Sequence, residues 1–181
     1  MKRNISRRNF LKLGVLAAAM PLPASASAWL AAPERRLSFH NLHTGENIDL
    51  PYWVQGDYVP ESLAEINHVL RDFRTDQVAA MDIRLLDLLS RVKTQLGTSQ
   101  PFQVISGYRS PATNHMLSER SSGVAKHSLH MEGKAIDIRI PGVALADLRK
   151  TGLALQGGGV GYYPASDFVH LDVGRVRTWG G

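Results

Sequence analysis

The sequence predicts one α+β domain, and three observations predict it. Apolar residues alternate with polar ones over 37–42, 135–140 and 168–173, the period of half-buried strands. They recur at three- and four-residue spacing over 60–74, 82–97 and 144–155, the period of helices with one buried face. The 153 residues from Trp29 onward hold no repeat and no second long apolar run, so one core is the simplest arrangement.

The chain opens with an address. Met1–Ala28 carries Lys2, Arg3, Arg7, Arg8 and Lys12 and no acidic residue. Ser6-Arg7-Arg8-Asn9-Phe10-Leu11-Lys12 reads as a twin-arginine export signal, so the twin-arginine translocase is an expected partner during export. The apolar run Leu13–Met20 is well short of the roughly 20 residues of a membrane span, so no stable membrane anchor is expected. Ala24-Ser25-Ala26-Ser27-Ala28 offers two overlapping cleavage sites, after Ala26 or after Ala28. The domains expected are therefore a signal peptide, 1–28, and a folded domain, 29–181.

This division changes the reading of charge. The whole chain carries 21 Lys and Arg against 16 Asp and Glu. Without the five basic residues of the leader, sixteen basic residues face sixteen acidic ones, which removes the electrostatic case for nucleic-acid binding. There is no cysteine, so disulfides and thiolate metal sites are excluded, and any metal site must use His, Asp or Glu.

In chain order, Leu37–Leu42 and Ile48–Tyr52 predict a hairpin about the turn Thr44-Gly45-Glu46-Asn47. His40 and His43 there read as packed or exposed histidines without a function. Pro60 opens a helix expected to run to about Arg74, with Leu63, Ile66, Leu70 and Phe73 on its buried face. Arg71, Asp72, Arg74 and Asp76 read as a solvated face. Asp82 is the expected cap of the next helix and Gly97 its end. Phe102–Ser106 predicts a strand, after which Gly107 is expected to permit a sharp turn. Arg109 follows, either a functional side chain at a strand end or a surface arginine paired with a nearby acid. Pro111–Glu119 predicts a short helix, and Ser121–Lys126 a glycine-containing loop.

The chemistry concentrates after that loop. Ser128-Leu129-His130-Met131-Glu132-Gly133-Lys134-Ala135-Ile136-Asp137 places a histidine and an aspartate seven positions apart across a glycine. Alternation puts Ile136, Ile138 and Ile140 on the core face of a strand and Asp137 on the other. The glycine run 157–161 lacks the Gly-Lys-Ser/Thr ending of a phosphate loop and predicts close backbone packing beside the site. In the last strand, Phe168-Val169-His170-Leu171-Asp172, His170 lies opposite the apolar face. A lone histidine is more often a satisfied polar residue than a ligand. Two histidines and one carboxylate, each expected on a strand or its edge, form a ligand set for zinc that leaves a fourth position for water.

Ser128-x-His130-x-x-Gly133-x-Ala135-x-Asp137 followed by His170 resembles the motif of the M15-type D-alanyl-D-alanine zinc peptidases, which share their fold with hedgehog. Ser106-Gly107-Tyr108-Arg109 resembles another segment of that family. Gly159–Pro164 with Phe168–Asp172 is similar to its twin-arginine-exported murein endopeptidase branch. The resemblance runs from Leu37 to Trp179. It implies a hedgehog-like fold whose central antiparallel sheet carries the zinc site, with helices behind. It implies Zn2+ bound by His130, Asp137 and His170, with Arg109 stabilising the oxyanion. The implied activity is periplasmic hydrolysis of peptidoglycan stem-peptide cross-links. A carboxylate must serve as base. The family places an acid three residues before the last histidine, here Asp167, while Asp172 shares the face of His170, so both stand as candidates. His127 and Ser128 are either secondary contacts or plain loop residues. A D-alanyl-D-alanine carboxypeptidase and a non-catalytic, zinc-stabilised wall-binding module are the alternatives.

Overall fold

The computed structural model describes Trp29 and residues 32–120 and 125–181. The predicted leader, 1–28, and most of the predicted loop 121–126 lie outside the described residues.

One eight-stranded sheet organises the domain. Its strands are β1 (Glu34–Asn41), β2 (Asn47–Val54), β3 (Asp57–Tyr58), β4 (Phe102–Ser106), β5 (Ala135–Arg139), β6 (Gly159–Tyr163), β7 (Phe168–Asp172) and β8 (Arg177–Gly180), in spatial order β3-β2-β1-β4-β5-β7-β6-β8. Four α-helices accompany it among the described residues: α1 (Pro60–Val69), α2 (Ile83–Leu96), α3 (Pro111–Arg120) and α4 (Leu145–Leu155). The α+β class is as the periodicities predict.

The expected antiparallel sheet is instead mixed. β1 pairs with β4 in parallel, and β6 with β8. The first pair is joined through β2, β3, α1 and α2, the long crossover that parallel neighbours need. In the second, the chain reverses at the β6–β7 turn and again after β7, so β8 returns in the direction of β6 and docks on its free edge.

One face of the sheet is apolar. Phe39, Phe102, Val104, Ile136, Ile138, Val169 and Leu171 are at most 1% exposed and pack in one cluster with Leu85, Leu86, Leu89 and Val92 of α2 and with Leu148 of α4. Burying that row against the helices is the main stabilising contribution, and it forces the alternate residues, Asp137 and His170 among them, onto the opposite face.

The Asp82 carboxylate accepts the Arg84 N–H to cap α2, and Gly97 ends that helix left-handed. α1 stops at Val69, short of the expected Arg74. The Leu70 carbonyl accepts the Tyr108 N–H at 2.7 Å, and the Asp72 N–H bonds the Gln77 carbonyl at 3.0 Å. Gly107 also differs from expectation. Its φ is not in the left-handed region, and it is glycine because a Cβ there would run into the Leu70 carbonyl.

Gly133, between the 3-10 turn Leu129–Glu132 and β5, does need its left-handed φ of +64°, and a Cβ there would meet the Ala80 backbone. Gly133→Ala is expected to destabilise the domain by about 1–3 kcal/mol, read as a lower urea midpoint at unchanged m.

Candidate metal centre

Backbone register builds the centre along one row of the sheet. Ser106 of β4 pairs with Asp137 of β5, Asp137 with His170 of β7, His170 with Gly161 of β6, and Gly161 with Trp179 of β8. His130 comes to this row from the 3-10 turn Leu129–Glu132 rather than from a strand or strand edge. The Ser128 side chain caps that turn by accepting the His130 N–H. The Arg109 N–H donates to the His130 carbonyl at 3.1 Å, tying the two segments together.

The structure brings His130, Asp137 and His170 together. The Asp137 carboxylate lies 2.8 Å from His170 Nδ1 and 3.3 Å from His130 Nε2, and the two ring nitrogens are 3.2 Å apart. All three residues are at least 91% buried. Tetrahedral zinc with bonds of 2.0–2.1 Å would set its ligand atoms about 3.3 Å apart, so the donors are spaced as such an ion requires.

The donors are also aimed. His130 Nδ1 lies 2.8 Å from the Gly107 carbonyl, which fixes that nitrogen as the N–H and leaves Nε2 as a donor atom. His170 Nε2 lies 3.0 Å from the Asp172 carboxylate, which leaves Nδ1 facing Asp137. An imidazole held from behind by a carbonyl or carboxylate is the usual support of a metal ligand. Burial by itself would raise the Asp137 carboxyl, but the two imidazoles outweigh it and hold the carboxyl well below its usual range. Burial would lower His170, and hydrogen bonds to Asp137 and Asp172 raise it instead.

The predicted bases occupy different situations. Asp172 is fully buried. Its Oδ1 accepts from the Gly159 N–H (3.0 Å), the Gly174 N–H (2.8 Å) and Arg177 Nη1 (3.0 Å), and its Oδ2 from Arg177 Nη2 (2.7 Å) and His170 Nε2. Burial opposes its ionisation, and these donors reverse the balance and keep it ionised. Both Asp172 oxygens are thus committed, and the carboxylate has no solvent access. Asp167 ends the 3-10 turn Pro164–Ser166 with a left-handed φ of +55°. Its carboxylate is exposed and paired at 2.6 Å with Arg139. Its neighbours Ser166 and Phe168 line the cleft above the triad, and its own side chain does not.

That cleft, about 550 Å³, is walled by Arg109, His127, Ser128, Tyr163, Arg177 and Trp179 as well as the triad. The Arg109 side chain is only 12% exposed and sits 3.7 Å from Asp137, so it is not a surface arginine. Its other contacts are long, 3.4 Å to Asn114 and 3.3 Å to Ser106, and its buried Nε has no partner among the described residues. The glycine run supports the floor. A Cβ on Gly159 would strike the Asp172 carboxylate and the Arg177 guanidinium, and one on Gly161 would come within 2.7 Å of the Trp179 indole.

Two supporting residues escape sequence reasoning. Asn114 is buried and donates to the carbonyls of Ala125 and Lys126, holding the approach to His127. Asp72 is 2% exposed rather than part of a solvated face. It accepts the Ser110 N–H at 2.9 Å and the Arg74 N–H at 3.0 Å, anchoring the loop that carries Arg109. A single Asp among surface charges carries no periodic signal that it is buried. His40 and His43 are occupied elsewhere, His40 with Asn47 and His43 stacked on Phe73.

The model of the family described as peptidoglycan L,D-endopeptidase MepK matches residues 30–179. The chain belongs to this family. It is 47% identical over 180 residues to the peptidoglycan L,D-endopeptidase MepK of Escherichia coli (strain K12), covering 98% of this chain and 99% of that one. The Shigella flexneri protein of the same name matches equally, again covering 98% and 99% of the two chains. The probable peptidoglycan L,D-endopeptidase MepK of Haemophilus influenzae is 42% identical over 179 residues, 97% of this chain and 96% of that one.

Asp72→Ala is expected to cost about 1–3 kcal/mol by orphaning two N–H groups and to lower turnover through the Arg109 loop. Burial would raise the Asp72 carboxyl, but hydrogen bonds from Ser110, Thr113 and Arg74 bring it to about 2, below its unperturbed 3.8. Its stabilising contribution is therefore full above about pH 4 and is lost as the pH falls toward 2. The gap in unfolding free energy between wild type and Asp72→Asn should narrow over that window.

Proposed function

We propose that the protein is a zinc-dependent murein endopeptidase acting in the periplasm, where its twin-arginine leader would deliver it. The observation that carries this reading is the convergence of His130, Asp137 and His170 in an open cleft, with each imidazole aimed by its own partner. The relatives' names specify an L,D bond, one joining the carbonyl of an L-centre to an amine on a D-centre. Such bonds occur among peptidoglycan cross-links.

His130 Nε2, His170 Nδ1 and an Asp137 oxygen would hold the ion. When bound, zinc supplies a Lewis acid and lowers the pKa of a water at its open position. Arg109 binds the scissile carbonyl oxygen and stabilises the charge that develops on it. Its few, long contacts leave hydrogen-bonding capacity for that purpose. Of the two carboxylates, Asp167 is the one with solvent access, and it takes the proton from the attacking water and returns it to the leaving amine. To do so it leaves its ion pair with Arg139, an exposed pair of small net worth, and turns into the cleft that its neighbours Ser166 and Phe168 line. Asp172, backed by Arg177, holds the His170 ring in its ligating orientation.

Peptidoglycan digested with the protein from Trp29 to Gly181 should lose cross-linked dimers, read by mass spectrometry. Chelation should abolish the loss, zinc should restore it and His130→Ala should lack it. Release of a single terminal alanine would instead indicate a carboxypeptidase. No change with zinc bound and the fold intact would leave a wall-binding module.

Asp167→Ala should lose turnover while retaining zinc. Asp172→Ala should bind zinc about 10–100-fold more weakly. Full turnover by Asp167→Ala would remove it as the base.

A further inference from the structure

The last strand is unusual for what it contributes. β8 is a four-residue edge strand with no buried residue, so it adds little to the core. Its product is the position of Trp179. The indole lies over the gap left by Gly161, its centroid 5.1 Å from that of His170, and its Nε1–H donates to the Tyr163 hydroxyl at 2.7 Å. Tyr163 sits two residues from Gly161 along β6, on the same face as the triad, with its ring stacked 4.5 Å from Phe168. Both Tyr163 and Trp179 line the cleft that holds Arg109 and the triad.

The direction of that hydrogen bond decides what Tyr163 can do. An indole N–H is a donor only, so the phenol oxygen must accept. The phenol proton is then free to donate, and it has no acceptor among the described residues. Accepting one hydrogen bond also polarises the O–H and makes it a better donor. Stacking on Phe168 and the tryptophan contact fix the ring, so the hydroxyl is an oriented donor beside a site where negative charge would develop on a carbonyl oxygen.

We propose that Tyr163 is a catalytic residue, a second hydrogen-bond donor to the oxyanion of the tetrahedral intermediate that complements Arg109, and that Trp179 is the residue that positions it. This rests on the endopeptidase reading of the same cleft. The phenol keeps its proton throughout, and its contribution is electrostatic. A second donor adds to Arg109, whose guanidinium also lies near Asp137, Ser106 and Asn114.

The test compares wild type, Tyr163→Phe, Trp179→Phe and His130→Ala on purified cross-linked muropeptide dimers, with kcat, KM and zinc stoichiometry measured for each. Tyr163→Phe preserves the stacked ring and should fold. It is expected to lower kcat by about 10²–10³-fold, the usual effect of removing one oxyanion donor, with KM and zinc content unchanged. Trp179→Phe keeps a ring beside His170 but loses the N–H, and should lower kcat by a smaller factor at unchanged KM and zinc content. Wild-type turnover retained by Tyr163→Phe, or a rise in KM alone, would overturn the donor role while leaving the endopeptidase intact. A wild type that cleaves no dimer would overturn the proposed function and this inference together.

Discussion

Three groups that ordinarily seek water, His130, Asp137 and His170, are buried within hydrogen-bonding distance of one another. Most of what is distinctive in this structure answers the problem of keeping them there. A buried carboxylate is tolerated only with compensating groups around it, and here the two imidazoles face it and the Arg109 guanidinium lies 3.7 Å away. Each imidazole needs a partner on its far side, and each has one of a different kind. The Gly107 carbonyl holds His130, and the Asp172 carboxylate holds His170. The second choice moves the burial problem one residue deeper, because Asp172 is itself fully buried. Two backbone N–H groups and a bidentate arginine resolve it, and they come from the segments that flank β7.

The glycines follow from the same requirement. Asp172 can be enclosed only if Gly159 has no side chain, and Trp179 can lie beside His170 only if Gly161 has none. Gly107 lets the strand end close on Leu70, so its carbonyl faces His130 while the next residues carry Arg109 back toward the triad. A run that sequence inspection can confuse with a phosphate loop is thus a set of close approaches, Gly157 to Leu88, Gly158 and Gly159 to Asp172, and Gly161 to Trp179.

Much of this was legible beforehand, for identifiable physical reasons. The strands β5 and β7 announce themselves by strict alternation, and alternation places Asp137 and His170 on the face away from the core. The capped helix α2 is equally plain, with Asp82 and Gly97 at its ends. What was not legible depends on contacts between segments far apart in the chain. Asp72 reads as one surface charge among four, and only the arrival of Ser110, 38 residues later, makes it a buried anchor. The early end of α1 has the same cause, since the Leu70 carbonyl is captured by Tyr108. The parallel docking of β8 was equally invisible, because four residues with no buried member carry no pattern to read.

The different surroundings of Asp167 and Asp172 show the limit of parity arguments most clearly. Strand parity favoured Asp172, which does share the face of His170. But a shared face two residues away on a neighbouring row of the sheet leads behind the imidazole rather than into the cleft, and there the carboxylate is consumed by Arg177 and the glycine amides. Asp167 has the wrong parity for a strand residue, but it is not in a strand. The 3-10 turn and its left-handed φ free it from the alternation and leave it exposed between the cleft-lining Ser166 and Phe168, with an ion pair that water can exchange. A group that must move a proton needs solvent access and an unsaturated oxygen, whereas a group that must hold an imidazole needs neither. Solvent access separates the two aspartates, since Asp167 is exposed and Asp172 is enclosed.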